Sequence, residues 1–189
     1  MPSTPSLPRC ARPEADVSAG QDGAATATDA VRRGRTLGVD VGRARVGLAT
    51  ADPDGLIATP VATLARDARR GRDVGELVAH ALELDVVAVY VGLPVNLRGE
   101  HTPSTQDALD YARSVARALA DAGHAVPVRL VDERLSTVSA QAVLRAAGRT
   151  VKDSRGVIDQ AAAVAILQAA VDEQRRTGRW AGQAPEEIA

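Results

Sequence analysis

Three acidic residues stand where a folding chain can rarely tolerate them. Asp40 ends the apolar run Leu37-Gly38-Val39 and leads through Val41-Gly42-Arg43-Ala44-Arg45 into a second run, Val46-Gly47-Leu48-Ala49. Glu133 follows Asp132 at the end of another apolar run, and Asp159 lies beside Ile158 near the start of a last apolar segment. A buried charge is costly unless it is paired or bound. Carboxylates brought to one place repel each other, and sharing divalent cations makes them tolerable. Ligation by oxygen alone favours Mg²⁺ or Mn²⁺ over zinc. Two such ions can stabilise both the attacking water and the leaving oxygen of a phosphodiester. Asp40, Glu133 and Asp159 are therefore candidate catalytic metal ligands. Each has a plainer alternative: Asp159 equally suits a helix N-terminus through the macrodipole, and Asp132 and Glu133 equally suit strand-end acids paired with Arg134. Asp40 is harder to explain away, because its neighbours are apolar or Gly.

Cations are distributed to match. Arg43 and Arg45 lie on the turn after Asp40, Arg98 on the loop after Pro94, Arg134 after Glu133, and Lys152 and Arg155 before Asp159. Arg43, Arg45, Arg98, Arg134 and Arg155 suit phosphate oxygens of a nucleic-acid backbone. Lys152 is the only lysine in an Arg-rich chain. It is a candidate catalytic cation, neutralising charge in the transition state or anchoring a phosphate. His80 and His124 read as structural or surface residues, and His101 lies on the loop that also carries Arg98. The chain has no GxxxxGK[ST] loop, and Gly38, Gly42 and Gly47 do not make GxGxxG. With no Phe, one Trp and two Tyr, it lacks stacking platforms for single strands.

The elements that must position these residues follow from periodicity. Residues 1–35, rich in Pro, Ser, Ala, Thr and Gly, read as a disordered extension. Strands are predicted over Thr36 to Val41, Val46 to Ala51 and Leu56 to Leu64, with Asp52-Pro53-Asp54-Gly55 as a turn and Pro60 marking the third as an edge strand. Asp73 is placed to cap a helix with Val74, Leu77, Val78, Ala81 and Leu82 on its apolar face. A buried strand, Val86 to Val91, ends at Gly92-Leu93-Pro94. A helix carrying Ala108, Ala112, Val115, Ala116 and Leu119 stops at Gly123. A strand spans Val126 to Val131. A short helix capped by Ser136 or Thr137 ends before Gly148, and a last helix runs from Val157 to about Glu173. Strands alternating with helices imply parallel pairing with right-handed crossovers. The expected fold is a five-stranded mixed sheet, three strands antiparallel and two parallel, with helices on both faces. Its functional edge is where the parallel strands end. The folded domain is residues 36–173, and residues 174–189 read as a frayed tail.

Composition excludes several classes. Apolar residues make up 45% of the chain, enough for a core built from Val, Leu and Ala. A single cysteine, Cys10, allows no disulfide within the chain. No stretch is long enough to span a membrane, and no basic-then-apolar signal pattern opens the sequence. A cytoplasmic protein is expected. A net charge of −1 neither demands nor excludes a nucleic-acid partner.

Gly38-Val39-Asp40-Val41-Gly42 with Arg45-Val46-Gly47-Leu48-Ala49 resembles the first motif of the YqgF (RuvX) family. Gly92-Leu93-Pro94 with Gly99 resembles its second, and Asp132-Glu133-Arg134-Leu135-Ser136-Thr137 its third. Lys152 followed by Ile158-Asp159-Gln160-Ala161-Ala162 and Ile166-Leu167-Gln168 resembles its last. The agreement runs from about Thr36 to Asp172. The resemblance implies a ribonuclease H-like fold and a bacterial nuclease, either a Holliday junction resolvase or one trimming the 5′ end of pre-16S ribosomal RNA. It carries over Asp40, Glu133 and Asp159 as acids and Lys152 as the lysine before the last helix. Asp132 stays an alternative ligand, since adjacent strand residues face opposite ways. Two other readings compete: one half of an actin-like phosphotransferase, whose hairpin also begins DxG, and a non-catalytic RNA-binding factor. A resolvase acting on a symmetric junction would need a homodimer.

Overall fold

The computed structural model describes residues 31–96, 98–133 and 155–188, with side chains in the last of these from Ile158 onward. The elements are β1 (Thr36–Val41), β2 (Arg45–Ala51), β3 (Ala58–Ala65), α1 (Arg72–Glu83), β4 (Ala88–Leu93), α2 (Pro103–Asp121), β5 (Val128–Asp132) and α3 (Arg155–Thr177). The sheet has five strands in the order β3-β2-β1-β4-β5. β1 pairs antiparallel with β2 and parallel with β4, β2 pairs antiparallel with β3, and β4 pairs parallel with β5. This is the mixed sheet expected from the alternation of elements. The predicted helix after Ser136 and most of the N-terminal extension lie outside the described residues.

Each face of the sheet has its own core. Leu37, Val39, Val89 and Leu130 pack with Leu77 of α1 and Leu109, Val115 and Leu119 of α2. Tyr90, Val131, Ala49 and Ala51 pack with Ala163, Ile166 and Leu167 of α3 on the other side. The period of two in a strand decides which residue goes where. Leu37 and Val39 of β1 point to α1 and α2, so Gly38 and Asp40 belong to the face that α3 covers. Fully burying a Leu or Val side chain contributes about 1.5–3 kcal/mol, so a core without Phe is assembled from many modest contributions.

Local chemistry sets the boundaries and moves several of them. The Asp52 carboxylate accepts backbone N–H bonds from Asp54, Leu56 and Ile57 at 3.1, 2.8 and 2.7 Å, which holds it below the usual carboxylate range. That turn consumes Leu56 and Ile57, so β3 begins at Ala58 rather than Leu56. β4 begins two residues later than its apolar run, because its partner β1 starts pairing at Thr36 with Ala88. It also continues through Gly92 and Leu93, which pair with Val131 and Asp132. α1 starts after Gly71, which has φ 66°, and has no side-chain cap. Asp73 is buried inside its first turn and bonds to Arg66 instead, with Arg66 Nη1 2.9 Å from Asp73 Oδ2. Leu82, expected on the apolar face of α1, is exposed. α2 carries the stronger signal, a capping box between Thr102 and Thr105 with Pro103 in its first turn.

The C-terminal residues do not fray. α3 continues to Thr177, and the chain then lays Trp180, Ala181 and Ile188 into the core. Gln183 and Leu130 exchange two backbone hydrogen bonds at 2.7 and 3.0 Å, and the Arg129 guanidinium donates to the carbonyls of Ala181 and Gly182. Two large apolar side chains, at 180 and 188, anchor a segment with no apolar period.

Candidate active site

Asp40 pairs in register with Gly47 of β2. On its other side, one residue beyond the Val39–Val91 pair, lies Gly92 of β4. Both glycines are required by space. A Cβ on Gly47 would lie 2.1 Å from the Asp159 carbonyl oxygen, so β2 accepts the first turns of α3 only because Gly47 has no side chain. Gln160 Nε2 bonds to Thr63 Oγ1 at 3.1 Å and ties the same turn to β3. Together these contacts deliver Asp159 beside Asp40. A Cβ on Gly92 would lie 2.7 Å from Glu133 Oε1 and 2.6 Å from Ile166 Cδ1, so Gly92 opens the space that Glu133 fills. Alternation from Val131, which packs under α3, puts Glu133 on the α3 face and Asp132 on the opposite one.

Gly47→Ala and Gly92→Ala separate these two roles. The first meets backbone, so α3 must shift; a stability loss of about 1–3 kcal/mol and loss of activity are expected. The second meets the tips of two flexible side chains, so thermal unfolding should change little while Glu133 is displaced and activity falls. Thermal melts and a cleavage assay on both variants check this.

Electrostatics show how crowded the acids are. Burial, then the charge of Asp159, pushes Asp40 up to about 6. Burial, then Asp40 and Asp132, pushes Glu133 up to about 7. Asp159 is instead held by Arg45, whose Nε is 2.5 Å from Asp159 Oδ2. Arg45, read from sequence as a phosphate contact, thus engages an acid of the site. Arg43 lies exposed on the β1–β2 turn, and Arg98 lies exposed on the loop after β4, its backbone N–H bonded to Asn96 Oδ1 at 2.9 Å. Arg134 and Lys152 lie outside the described residues, as does the side chain of Arg155 at the start of α3.

The shifts fix the direction of a pH effect. Both carboxyls bind protons more tightly folded than unfolded, where they titrate near 4. Between about pH 4 and 7 the folded state holds the extra protons, so stability falls as pH rises through that window. In EDTA the melting temperature should fall between pH 5 and 8, and Asp40→Asn should flatten the slope, as read by calorimetry across pH.

The donor set suits a hard divalent cation: carboxylate oxygens only, crowded on a half-buried face. Among the described residues no three His, Cys, Asp or Glu side chains converge closely enough to enclose one cation. The glycines that build the site were visible in the sequence, Gly47 in the first family-like motif and Gly92 at a strand end in the second, but without a steric role. Their function emerges once pairing places them on either side of Asp40.

The profile of the RuvX family, described as Holliday junction resolvase, matches residues 34–173. A protein of Clavibacter michiganensis subsp. michiganensis is 54% identical over 148 residues, which is 78% of this chain and 89% of that one. A protein of Mycobacteroides abscessus is 50% identical over 146 residues, 77% of this chain and 86% of that one. Both bear the name "Putative pre-16S rRNA nuclease". Among solved structures, Thermus thermophilus RuvC in complex with Holliday junction substrate aligns at a TM-score of 0.51 and 18% identity, covering 77% of this chain and 98% of that one. That likeness shows the ribonuclease H-like fold. The profile match spans the whole sheet and the helices on both of its faces, and at this level of identity to its relatives the chain belongs to the RuvX family.

Proposed function

We propose that this chain is a metal-dependent endonuclease that processes the 5′ end of pre-16S rRNA in the cytoplasm. The observation that carries the reading is the meeting of Asp40, Glu133 and Asp159 on one face at the ends of the parallel strands, where burial and then neighbouring acids raise the proton affinity of Asp40 and Glu133. The relatives' names support precursor rRNA as the substrate. No helix among the described residues is long and apolar enough to cross a membrane. Asp40, Glu133 and Asp159 would hold Mg²⁺ or Mn²⁺, which supplies Lewis-acid polarisation of the scissile phosphate and an activated water. Arg43 and Arg98 hold the phosphate backbone from the exposed loops, joined by Arg134 and Arg155. Lys152 neutralises charge developing on the phosphate. With no aromatic platform on this edge, recognition rests on backbone shape and charge.

The family description, Holliday junction resolvase, favours one second reading, action on branched DNA, for which a homodimer would set two sites across the branch. The test is cleavage of a 5′-extended 16S precursor fragment and a four-way DNA junction side by side, in Mg²⁺ and in EDTA, with oligomeric state measured at the same concentration. Cutting of the RNA that stops in EDTA is the expected result. Cutting of the junction alone transfers the assignment to the resolvase. Tight RNA binding without cleavage of either substrate would make the chain a binding factor.

A further inference from the structure

We propose that Arg45 is a resident counter-cation of the metal site: its guanidinium holds Asp159 until a divalent cation takes that carboxylate, and the freed arginine then turns to the substrate's phosphate backbone. The inference rests on the metal-dependent reading above and adds a coupling to it. The ion pair is there to see, with Arg45 Nε 2.5 Å from Asp159 Oδ2. It is built to be exchanged. The contact to Asp159 is made through Nε rather than as a two-pronged fork, and the side chains keep 37% and 23% of their exposure. Part-exposed pairs of this kind are weak, so a divalent ion can outcompete them.

The backbone around the pair does not need to move. The Asp159 carbonyl is packed against Gly47, and Gln160 is bonded to Thr63, so the backbone that carries Asp159 is already in place. A rotation of the Asp159 side chain away from Arg45 is what remains. Because coupling between two binding events is reciprocal, a metal that releases Arg45 must strengthen nucleic-acid binding by the factor with which nucleic acid strengthens metal binding. Loading the metal and gripping the substrate become one linked event.

The test measures Mn²⁺ binding to the full chain by electron paramagnetic resonance of the free ion, for wild type, Arg45→Gln, Arg45→Lys and Asp40→Asn. Anisotropy of a labelled precursor fragment is followed in Ca²⁺ and in EDTA. The expected result is at least threefold tighter Mn²⁺ binding by Arg45→Gln, wild-type binding by Arg45→Lys, and a Ca²⁺-dependent gain in RNA affinity that shrinks in Arg45→Gln. Equal or weaker Mn²⁺ binding by Arg45→Gln, with binding still lost in Asp40→Asn, overturns the role of Arg45 and leaves the metal site standing. Absence of Mn²⁺ binding by wild type overturns both. One measurement needs no variant: the Arg45 Nε–H resonance of the wild-type chain must move on adding Mg²⁺, and a resonance that stays fixed at saturation rejects the proposal.

Discussion

Asp40→Asn should abolish cleavage, with a loss on the order of 10³-fold, the scale at which a single charge-stabilising group in an active site is removed. The substitution changes almost nothing in shape. It removes the carboxylate nearest the middle of the site, flanked by Gly47 and Gly92 and repelled by Asp159. For the same reason the variant should melt higher than wild type at neutral pH in EDTA, because a half-buried charge with a raised proton affinity has been taken away. Activity falling while stability rises is the diagnostic combination. A variant that loses activity and melts lower would point to damage. One that still cuts every substrate would remove Asp40 from the mechanism. Parallel melts and single-turnover cleavage decide.

The largest stability effect is expected on the face of the sheet that α1 and α2 cover, at Arg66. Its guanidinium bridges α1 and α2. It donates to Asp73 in α1 at 2.9 Å and to Asp107 in α2 at 3.0 Å, and it stacks over the Tyr111 ring with the centroid 4.6 Å away. Asp73 is fully buried, and its Oδ1 makes no hydrogen bond. Arg66→Ala would leave that carboxylate unpaired in the core, a change that costs about 3–5 kcal/mol. Urea unfolding should show the drop directly. The double variant Arg66→Met, Asp73→Leu should recover a large part of it, because the buried charge goes with its partner. If the two changes simply added, the interaction would not be the source of the loss.

The sequence exposed the sheet well because its signals are local. Alternating apolar residues, the Asp52-Pro53 turn and the proline on β3 each act within a few residues of themselves. Asp40 was legible for the same reason: an acid inside an apolar run contradicts its own neighbourhood. What the sequence hides is which partner the fold supplies. Asp73 has the position of a helix cap, and only the fold brings Arg66 to claim it. Arg45 reads as a phosphate contact from its turn, and only the fold brings Asp159, 114 positions later, to pair with it. Trp180 and Ile188 are too far apart to make a period, so the segment they anchor looks like a tail. Gly47 and Gly92 carry no polar signal, and their importance is steric.

The path of the C-terminal segment has a consequence for assembly. By bonding to Leu130, Gln183 spends backbone groups that β5 would otherwise offer to an incoming strand. At the opposite border, Pro60 interrupts the donors of β3, and the register slips beside it between Leu48 and Ala49. Both borders of the sheet are therefore guarded against the pairing that drives strand-to-strand aggregation. Extension of one continuous sheet across two copies is disfavoured at both borders. A pair straddling a four-way branch would then meet through helices or loops, and removing residues 179–189 should expose β5 and increase self-association, as read by light scattering.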